Sequence, residues 1–233
     1  MNIHKKSENL YIVLTAIFIA SLVSCNLIFQ KFFEIEIWLP FIGAYKFEQS
    51  VGLLPYPITF IVTDIVSEIY VRKKANQVVT AGLFASLFML VIVSISDYVS
   101  AASWSPVNKN EFHKVFGLSG AAVFASMMAY LVAQYIDVRA FHFWKKLTNG
   151  KHLWLRNNAS TIFSQFIDTC AVLLLLCSLN VIGWDKFTIL IINGFLFKVF
   201  FAAFDTPIVY GLTYIIRKQL NLDFGQEIGE IYE

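Results

Sequence analysis

Five stretches of this chain are apolar over about 20 residues each and a sixth over about 30, and an α-helix needs about 20 to cross the hydrocarbon of a bilayer. Only helices and closed barrels can span a membrane, and the ten-residue alternation of barrel strands is absent from the sequence. The sequence therefore predicts an all-α integral membrane protein, a bundle of six transmembrane helices forming a single domain over residues 1–233. The predicted spans are Leu10–Phe29, Val51–Tyr70, Gln77–Ser96, Gly117–Ile136, Ala159–Leu179 and Phe187–Ile216.

The composition argues against the common soluble classes. Of the 233 residues 58% are hydrophobic and only 15% are charged, against about 25% charged in a typical soluble domain. The formal net charge of +2 is too small to indicate a nucleic-acid partner. Cys25, Cys170 and Cys177 all fall in apolar stretches, which favours packing residues over a disulfide framework or a metal site. We expect no metal and no cofactor.

The first apolar stretch allows two interpretations. Its basic start, apolar middle and Leu-Val-Ser-Cys ending resemble a bacterial lipoprotein signal that is cleaved before Cys25. Five further spans would make a lipid anchor redundant. We therefore expect an uncleaved first helix.

The orientation in the membrane follows from the basic residues between the spans, because cytoplasmic loops carry an excess of Lys and Arg. Alternate segments hold twelve basic residues on one side and five on the other. The strongest markers of the inner side are Arg72, Lys73 and Lys74 after the second span, and residues 139–156 after the fourth. This pattern predicts that both termini lie in the cytoplasm.

Polar residues inside the spans are the main clue to function. A charge at the bilayer centre costs about 2.5–3.5 kcal/mol on insertion scales, so such residues should face each other or a wet cavity. Lys198 is the only basic residue well inside a span, and we expect it to neutralise a buried carboxylate rather than to bind substrate directly. The candidate substrate-binding residues are Asn26, Asp64, Glu68, Gln134, Asp137, Gln165, Asp168, Lys198 and Asp205.

Two of these groups repeat one pattern, Gln-aromatic-Ile-Asp, at residues 134–137 and 165–168. Residues three apart share a helix face, so each unit offers a carboxylate that accepts hydrogen bonds beside an amide that both donates and accepts. We interpret the units as two polar edges that face a shared pocket. Polar contacts that merely hold helices together are the alternative. Glu68 and Asp137 could also be solvated at cytoplasmic helix ends.

The order of these motifs resembles a known family. The motifs are Thr63-Asp64 with Glu68, the basic Arg72-Lys73-Lys74, Gln134-x-x-Asp137, Gln165-x-x-Asp168-Thr169, Lys198, and Asp205-Thr206-Pro207 with Tyr210. Together they are similar to the VUT or YhhQ family of queuosine precursor transporters. One departure is Val71 after Tyr70, where the family leads us to expect Gly.

The resemblance implies a six-helix, multi-pass permease of the bacterial inner membrane. Its substrate would be a 7-deazaguanine precursor of queuosine (preQ0, preQ1 or queuine), carried by a single-component secondary transporter. The partners would be this nucleobase-like molecule and the lipid bilayer. The residues do not decide which deazapurine is carried, which ion drives transport, whether the chain forms a homo-oligomer, or which aromatic residues stack on the substrate.

Two other functions are compatible with parts of the sequence. The first is the substrate-binding subunit of an ATP-driven ECF-type vitamin importer with ATPase partners, because Ala16 and Ala20 match the Ala-x-x-x-Ala spacing of such subunits. The second is an intramembrane enzyme. The sequence contains neither HExxH nor GxSxG, and we expect all four His to lie in tails or loops. We therefore expect that the chain is not an enzyme.

Overall fold

The fold was analysed in a computed structural model that describes residues 3–39, 43–117, 120–149, 151–223 and 225–228. Most of these residues are helical, and a single pair of strands interrupts the helices in the described part of the chain. The elements are α1 Ile3–Ile28, β1 Phe32–Leu39, β2 Gly43–Ser50, α2 Tyr56–Ile69, α3 Arg72–Tyr98, α4 Lys109–Phe116, α5 Gly120–Leu147, α6 Leu153–Ser178 and α7 Phe187–Leu220.

Within the described ranges, five helical segments are long and apolar enough to cross a membrane. They contain α1, α2, α3, α6 and α7, so the prediction of a helical membrane protein is confirmed at that level. The predicted fourth span falls on α5, which is 28 residues long. Residues 118 and 119 of that span lie outside the described residues.

The helix α2 occupies the centre of the bundle. Ten of its residues are buried, including the whole run from Val62 to Ile69. A helix that is buried on all sides belongs to the interior of an assembly rather than to its surface. Accordingly α2 packs against α1, α3, α5 and α7. The polar residues of α2 are therefore enclosed by protein.

The sequence prediction missed a β-hairpin between α1 and α2. Strands β1 and β2 pair antiparallel, from Phe32 opposite Ser50 to Leu39 opposite Gly43. The signal was present, since Phe33 to Ile37 alternates apolar and acidic residues with the period of a strand. The strands are shorter than a membrane span, so the criterion of membrane-length alternation does not detect them. The prediction of an all-α chain is thus right for the bundle and wrong for this segment.

The hairpin is attached to the first turns of α7. Asn193 Nδ2 donates to the Glu48 carbonyl over 3.1 Å, and the Tyr45 hydroxyl donates to Asn193 Oδ1. An ion pair between Lys186 and Glu48 at 2.9 Å adds a third contact. An isolated two-stranded hairpin is only marginally stable in water. These contacts therefore hold it against the end of the bundle where α7 begins.

At the other end of the bundle, the start of α1 meets the ends of α2 and α7. The Tyr70 hydroxyl, just after α2, donates to the Ser7 carbonyl near the start of α1 over 2.7 Å. Arg217, in the last turn of α7, reaches Glu68 near the end of α2. The start of α1 and the ends of α2 and α7 thus meet opposite the hairpin. This is the end that the distribution of basic residues assigns to the cytoplasm.

The expectation that all four histidines lie in tails or loops is wrong for three of them. His4 and His142 lie in α1 and α5, which extend past the predicted spans, and His113 lies in α4, a short helix between α3 and α5. The apolar criterion ends a span where charged residues begin, whereas a helix continues as long as its backbone hydrogen bonds do.

Candidate binding site

A cavity of about 150 Å³ opens at the hairpin end of the bundle. Residues of α1, the hairpin, the start of α2, α6 and α7 line it, and most of them are apolar. Small-molecule sites are typically concave and apolar with a few placed polar groups. The charged and amide side chains that line this cavity are Asn26, Gln49, Asp168 and Lys198.

Asp168 is the central polar group of this cavity. Its side chain is buried, and its Oδ2 accepts hydrogen bonds from Lys198 Nζ at 2.6 Å and from the Tyr56 hydroxyl. Lys198 Nζ also lies 4.4 Å from the centroid of the Tyr56 ring, which is within the range of a cation–π contact. The second oxygen, Oδ1, has no hydrogen-bond partner among the described residues. A buried acceptor without a partner is costly, so this oxygen is available to a donor.

The chain between β2 and α2 places Tyr56 beside Asp168. Ser50 Oγ donates to the Phe29 carbonyl and accepts from the Gly52 amide at 3.1 Å, which ties the turn to α1. A Cβ on Gly52 would lie 2.7 Å from the Cys25 carbonyl oxygen, so only Gly allows this approach. Pro55 and Pro57 flank Tyr56, and proline at the start of a helix costs no intrahelical hydrogen bond. These local constraints fix where α2 begins.

A second, smaller compartment of about 20 Å³ adjoins the cavity. Tyr56 and Lys198 line both spaces and so stand between them. Gln165 lines the compartment at 1% exposure, and neither atom of its amide has a partner among the described residues. Asp205 also lines it, is 6% exposed, and forms no hydrogen bond or ion pair within the described part of the chain.

A separate charged group lies at the opposite end of α2, and we call it the inner cluster: Glu68, Lys145, Arg217 and Glu227. Arg217 Nη2 is 2.8 Å from Glu68 Oε1, and Lys145 Nζ is 3.6 Å from Glu68 Oε2. Lys145 also pairs with Glu227 at 2.8 Å. Lys198 is thus not the only cation that reaches a buried carboxylate. Lys145 and Arg217 lie past the ends of the predicted spans, yet both are buried because their helices continue.

The structure divides the nine candidate residues into two groups. Those that line the two cavities are Asn26, Gln165, Asp168, Lys198 and Asp205. Those that line neither, although all are described and buried, are Asp64, Glu68, Gln134 and Asp137. Only the second Gln-x-x-Asp unit therefore reaches the cavities. In the first unit, Asp137 Oδ1 accepts from Ser164 Oγ at 2.9 Å.

Lys198 pairs with a buried carboxylate, as predicted, but its partner is Asp168 on α6. Asp205, seven residues along the same helix, does not form the pair.

Sequence reasoning also missed Tyr56 and Gln49. Tyr56 was one aromatic among many, and only its position between two prolines at the start of a span distinguished it. Gln49 lies in the hairpin that was treated as a loop. Its Oε1 accepts from the Ser50 amide at 2.9 Å. A Cβ on Gly194 of α7 would lie 3.1 Å from Gln49 Nε2, so the small residue lets this amide approach α7.

Comparisons with known proteins are consistent with this arrangement. Residues 50–212 match the sequence family described as "Putative vitamin uptake transporter". A relative from Bacillus subtilis (strain 168), named "Probable queuosine precursor transporter", is 24% identical over 170 residues, or 72% of this chain and 73% of the relative. No solved structure matches the chain.

Two further relatives carry related names. The Escherichia coli (strain K12) "Queuosine precursor transporter" is 27% identical over 130 residues, 56% of each chain. The "Probable queuosine precursor transporter" of Haemophilus influenzae is 26% identical over 151 residues, 64% of this chain and 61% of the relative. The match therefore spans less than two thirds of the length of these two proteins.

The matched residues 50–212 include Tyr56, Gln165, Asp168, Lys198 and Asp205, and so most of the polar lining of both cavities. With its apolar helices, the chain is a multi-pass protein of the bacterial inner membrane, and it belongs to this family of uptake transporters.

Proposed function

We propose that the chain imports a 7-deazaguanine precursor of queuosine, preQ0, preQ1 or queuine, as a single-component secondary transporter. The observation that carries the proposal is Asp168, a buried carboxylate that faces a mostly apolar cavity and has one oxygen without a hydrogen-bond partner among the described residues. The names of the three relatives support the same substrate class.

The chemistry of the cavity suits a flat base that carries several donors. A deazaguanine presents ring N–H and NH2 donors beside one carbonyl acceptor. The free oxygen of Asp168 can accept from the donors, while the amide of Asn26 or Gln49 can donate to the carbonyl. Phe29, Phe32 and Tyr56 lie in the same lining. Stacking on such rings contributes about 1–3 kcal/mol per base in nucleic-acid-binding proteins.

The remaining candidate residues have a different role in this proposal. Asp64, Glu68, Gln134 and Asp137 lie away from the cavities, and we assign them to holding the inner half of the bundle together. Glu68 supports this assignment because two cations surround it. The substrate contacts are then made by Asn26, Gln49 and Asp168, and Lys198 holds Asp168 through their ion pair.

We further propose that α5 crosses the membrane in addition to the five candidate segments, which gives six transmembrane spans, and that both termini lie in the cytoplasm. The excess of basic residues on one set of loops supports this orientation. It turns the cavity and the hairpin outward and the inner cluster toward the cytoplasm, as an importer in its outward-open state requires.

Cysteine labelling tests the orientation. In a background without Cys25, Cys170 and Cys177, an impermeant reagent applied from outside should label cysteines at Asn108 and Asp185. Cysteines at Lys73 and Lys146 should react only after the membrane is made permeable. Labelling of position 73 from outside would overturn the orientation.

Uptake of labelled substrate tests the function itself. Cells without their own transporter and synthesis genes should accumulate at least one of preQ0, preQ1 and queuine when they express the chain, and the label should be recovered chemically unchanged. Equal uptake with and without the protein for all three compounds would exclude the proposed substrate class.

The ATP-driven alternative makes a different prediction for the purified protein. Ala16 and Ala20 are exposed on α1, which suits a lipid-facing helix as well as a partner-facing one, so they do not separate the two functions. Transport by the chain alone in liposomes would exclude a need for ATPase partners. Co-purification of an ATPase, with no transport in its absence, would favour the alternative.

A further inference from the structure

The compartment beside the cavity has an unbalanced charge. Its lining includes Lys198 and Asp205, and Asp168 adjoins it through the ion pair with Lys198 at 2.6 Å. That pair is neutral as a unit, so the carboxylate of Asp205 leaves one negative charge without a counter-ion in the described part of the chain. An isolated carboxylate in a low-dielectric environment is so unfavourable that it either binds a cation or takes up a proton.

The walls of the compartment offer little solvation. Phe60 of α2 and Phe197 and Phe201 of α7 line it, and its volume of about 20 Å³ is room for one water-sized guest. The other charged groups of α2 do not compensate Asp205. Glu68 belongs to the inner cluster, and Asp64 does not line the compartment. Tyr56 turns its hydroxyl toward Asp168.

The side-chain amide of Gln165 is an independent indication that this compartment binds a ligand. It is 1% exposed and lines the same space, yet its carbonyl oxygen and its NH2 both lack partners among the described residues. Buried amides are almost always hydrogen-bonded. A small cation beside Asp205 would take the amide oxygen as a ligand, and a protonated Asp205 would donate to it directly or through one water.

We infer that the compartment between Gln165 and Asp205 binds one monovalent cation, a proton or Na⁺, which crosses the membrane together with the substrate. The inference rests on the proposed transport function. Lys198 and Tyr56 separate this cation from the substrate cavity and are shared by both. If substrate binding shifts the Asp168 carboxylate, Lys198 shifts with it, because the two are paired, and Lys198 also lines the compartment.

The test uses the full chain reconstituted in liposomes and labelled preQ0, whose nitrile leaves it uncharged. Exchange of labelled for unlabelled preQ0 without any ion gradient reports substrate binding and movement. Accumulation is then measured with an inward Na⁺ gradient at equal pH, and separately with an inward proton gradient in Na⁺-free buffer. We expect exchange in every condition, and at least fivefold accumulation in one of the two gradient arms, which identifies the cation.

The variant Asp205→Asn removes the negative charge that is proposed to bind the cation. We expect accumulation to fall at least tenfold while exchange falls less than threefold. Asp185→Asn is the matched control, because it removes an exposed carboxylate just before the same helix and should keep both activities. Full accumulation by Asp205→Asn, or no accumulation by the unmodified protein in either arm while exchange persists, would overturn the inference alone.

A measurement on the unmodified protein covers the case in which Asp205→Asn does not fold. One positive charge moving with a neutral substrate makes accumulation sensitive to voltage, so about 100 mV, inside negative, should support accumulation of up to about fiftyfold. No response to voltage would overturn the inference. No exchange of preQ0, preQ1 or queuine would instead overturn the proposed function, and the inference with it.

Discussion

Two buried carboxylates at opposite ends of the bundle meet their cations in different ways. Glu68 sits against Arg217 at 2.8 Å and Lys145 at 3.6 Å, one cation for each of its oxygens. Asp168 has Lys198 and Tyr56 on one oxygen and nothing described on the other. Both side chains are almost fully buried, so burial alone does not distinguish them.

This difference is the reason that we propose a structural role for Glu68 and a binding role for Asp168. A buried charge whose two oxygens both face cations has no capacity left for a ligand, and removing one partner strands the rest. A buried charge with a free oxygen beside a cavity is incomplete until a donor arrives. The completeness of the local pairing is therefore a better guide to the site than the presence of a buried charge.

The largest effect that we expect comes from Arg217→Met. The change removes the shorter of the two ion pairs of buried Glu68, and breaking a buried pair typically costs about 3–5 kcal/mol. Folded yield and melting temperature should fall steeply, while the surviving protein should bind substrate with nearly unchanged affinity. Lys218→Met, which removes an exposed neighbouring charge, is the control. An unchanged melting temperature with loss of uptake would move the inner cluster into the transport mechanism.

A smaller loss of stability is expected for Lys198→Met. Asp168 would keep Tyr56 as its partner, and the cavity admits water, so the stranded charge is better solvated than Glu68 would be. Folded yield and uptake should both decline. The double variant Lys198→Met/Asp168→Asn should recover stability without recovering uptake. Normal yield and stability with uptake alone lost would show that Lys198 contacts the substrate directly.

Asp168→Asn should damage binding strongly and stability moderately, because Lys198 loses its counter-ion but keeps a hydrogen-bond acceptor. The Asn oxygen can still accept from Lys198 and Tyr56, whereas its NH2 would replace the free oxygen and face the donors of the ligand. An unmet polar group in a buried site costs about 1–3 kcal/mol, which corresponds to roughly tenfold weaker binding or more. Binding and melting temperature are measured on the same purified sample.

Asp137→Asn is the matched control for this change, since Asp137 belongs to the Gln-x-x-Asp unit that does not line the cavities, and its effect on affinity should be milder. Unchanged affinity in Asp168→Asn would remove Asp168 from the site.

The smallest effect is expected for Tyr56→Phe. The variant loses one hydrogen bond to Asp168 but keeps the ring beneath Lys198. A net hydrogen bond contributes about 0.5–1.5 kcal/mol, so the KM for uptake should rise by roughly two- to tenfold. Tyr214→Phe, on an exposed face of α7, should leave KM unchanged. Equal KM values in both variants would mean that the Tyr56 hydroxyl does not hold Asp168 in place.

The positions of the helices could be predicted from the sequence because the bilayer sets a minimum apolar length. Their ends could not, because charged residues such as Lys145 and Arg217 continue the helices beyond the apolar windows. For that reason the sequence places the two cations that pair with Glu68 in a loop and in a tail, outside the predicted spans. The hairpin could not be predicted from apolar length, because its strands are short and alternate apolar with polar residues, although that alternation is visible in the sequence.

The site was predictable in residue type and only partly in place. Gln165 and Asp168 reach the cavities, whereas Gln134 and Asp137, with the same motif, do not. The motif does not specify how each helix is rotated about its axis. Packing against the neighbouring helices sets that rotation and so determines which unit faces the cavities. Tyr56 was hidden for another reason: the chain holds 23 Phe and 10 Tyr, so no aromatic residue stands out by type.

The inner cluster also bears on how the protein is made. Glu68 and its partner Arg217 are 149 residues apart, and Lys145 follows Glu68 by 77 residues, so α2 leaves the ribosome before either cation exists. The helix α2 also belongs to the least apolar of the five candidate spans. The pairing of Glu68 is therefore completed in two steps, when α5 supplies Lys145 and when α7 supplies Arg217. A nascent chain that stops before Arg217 would leave the inner cluster incomplete.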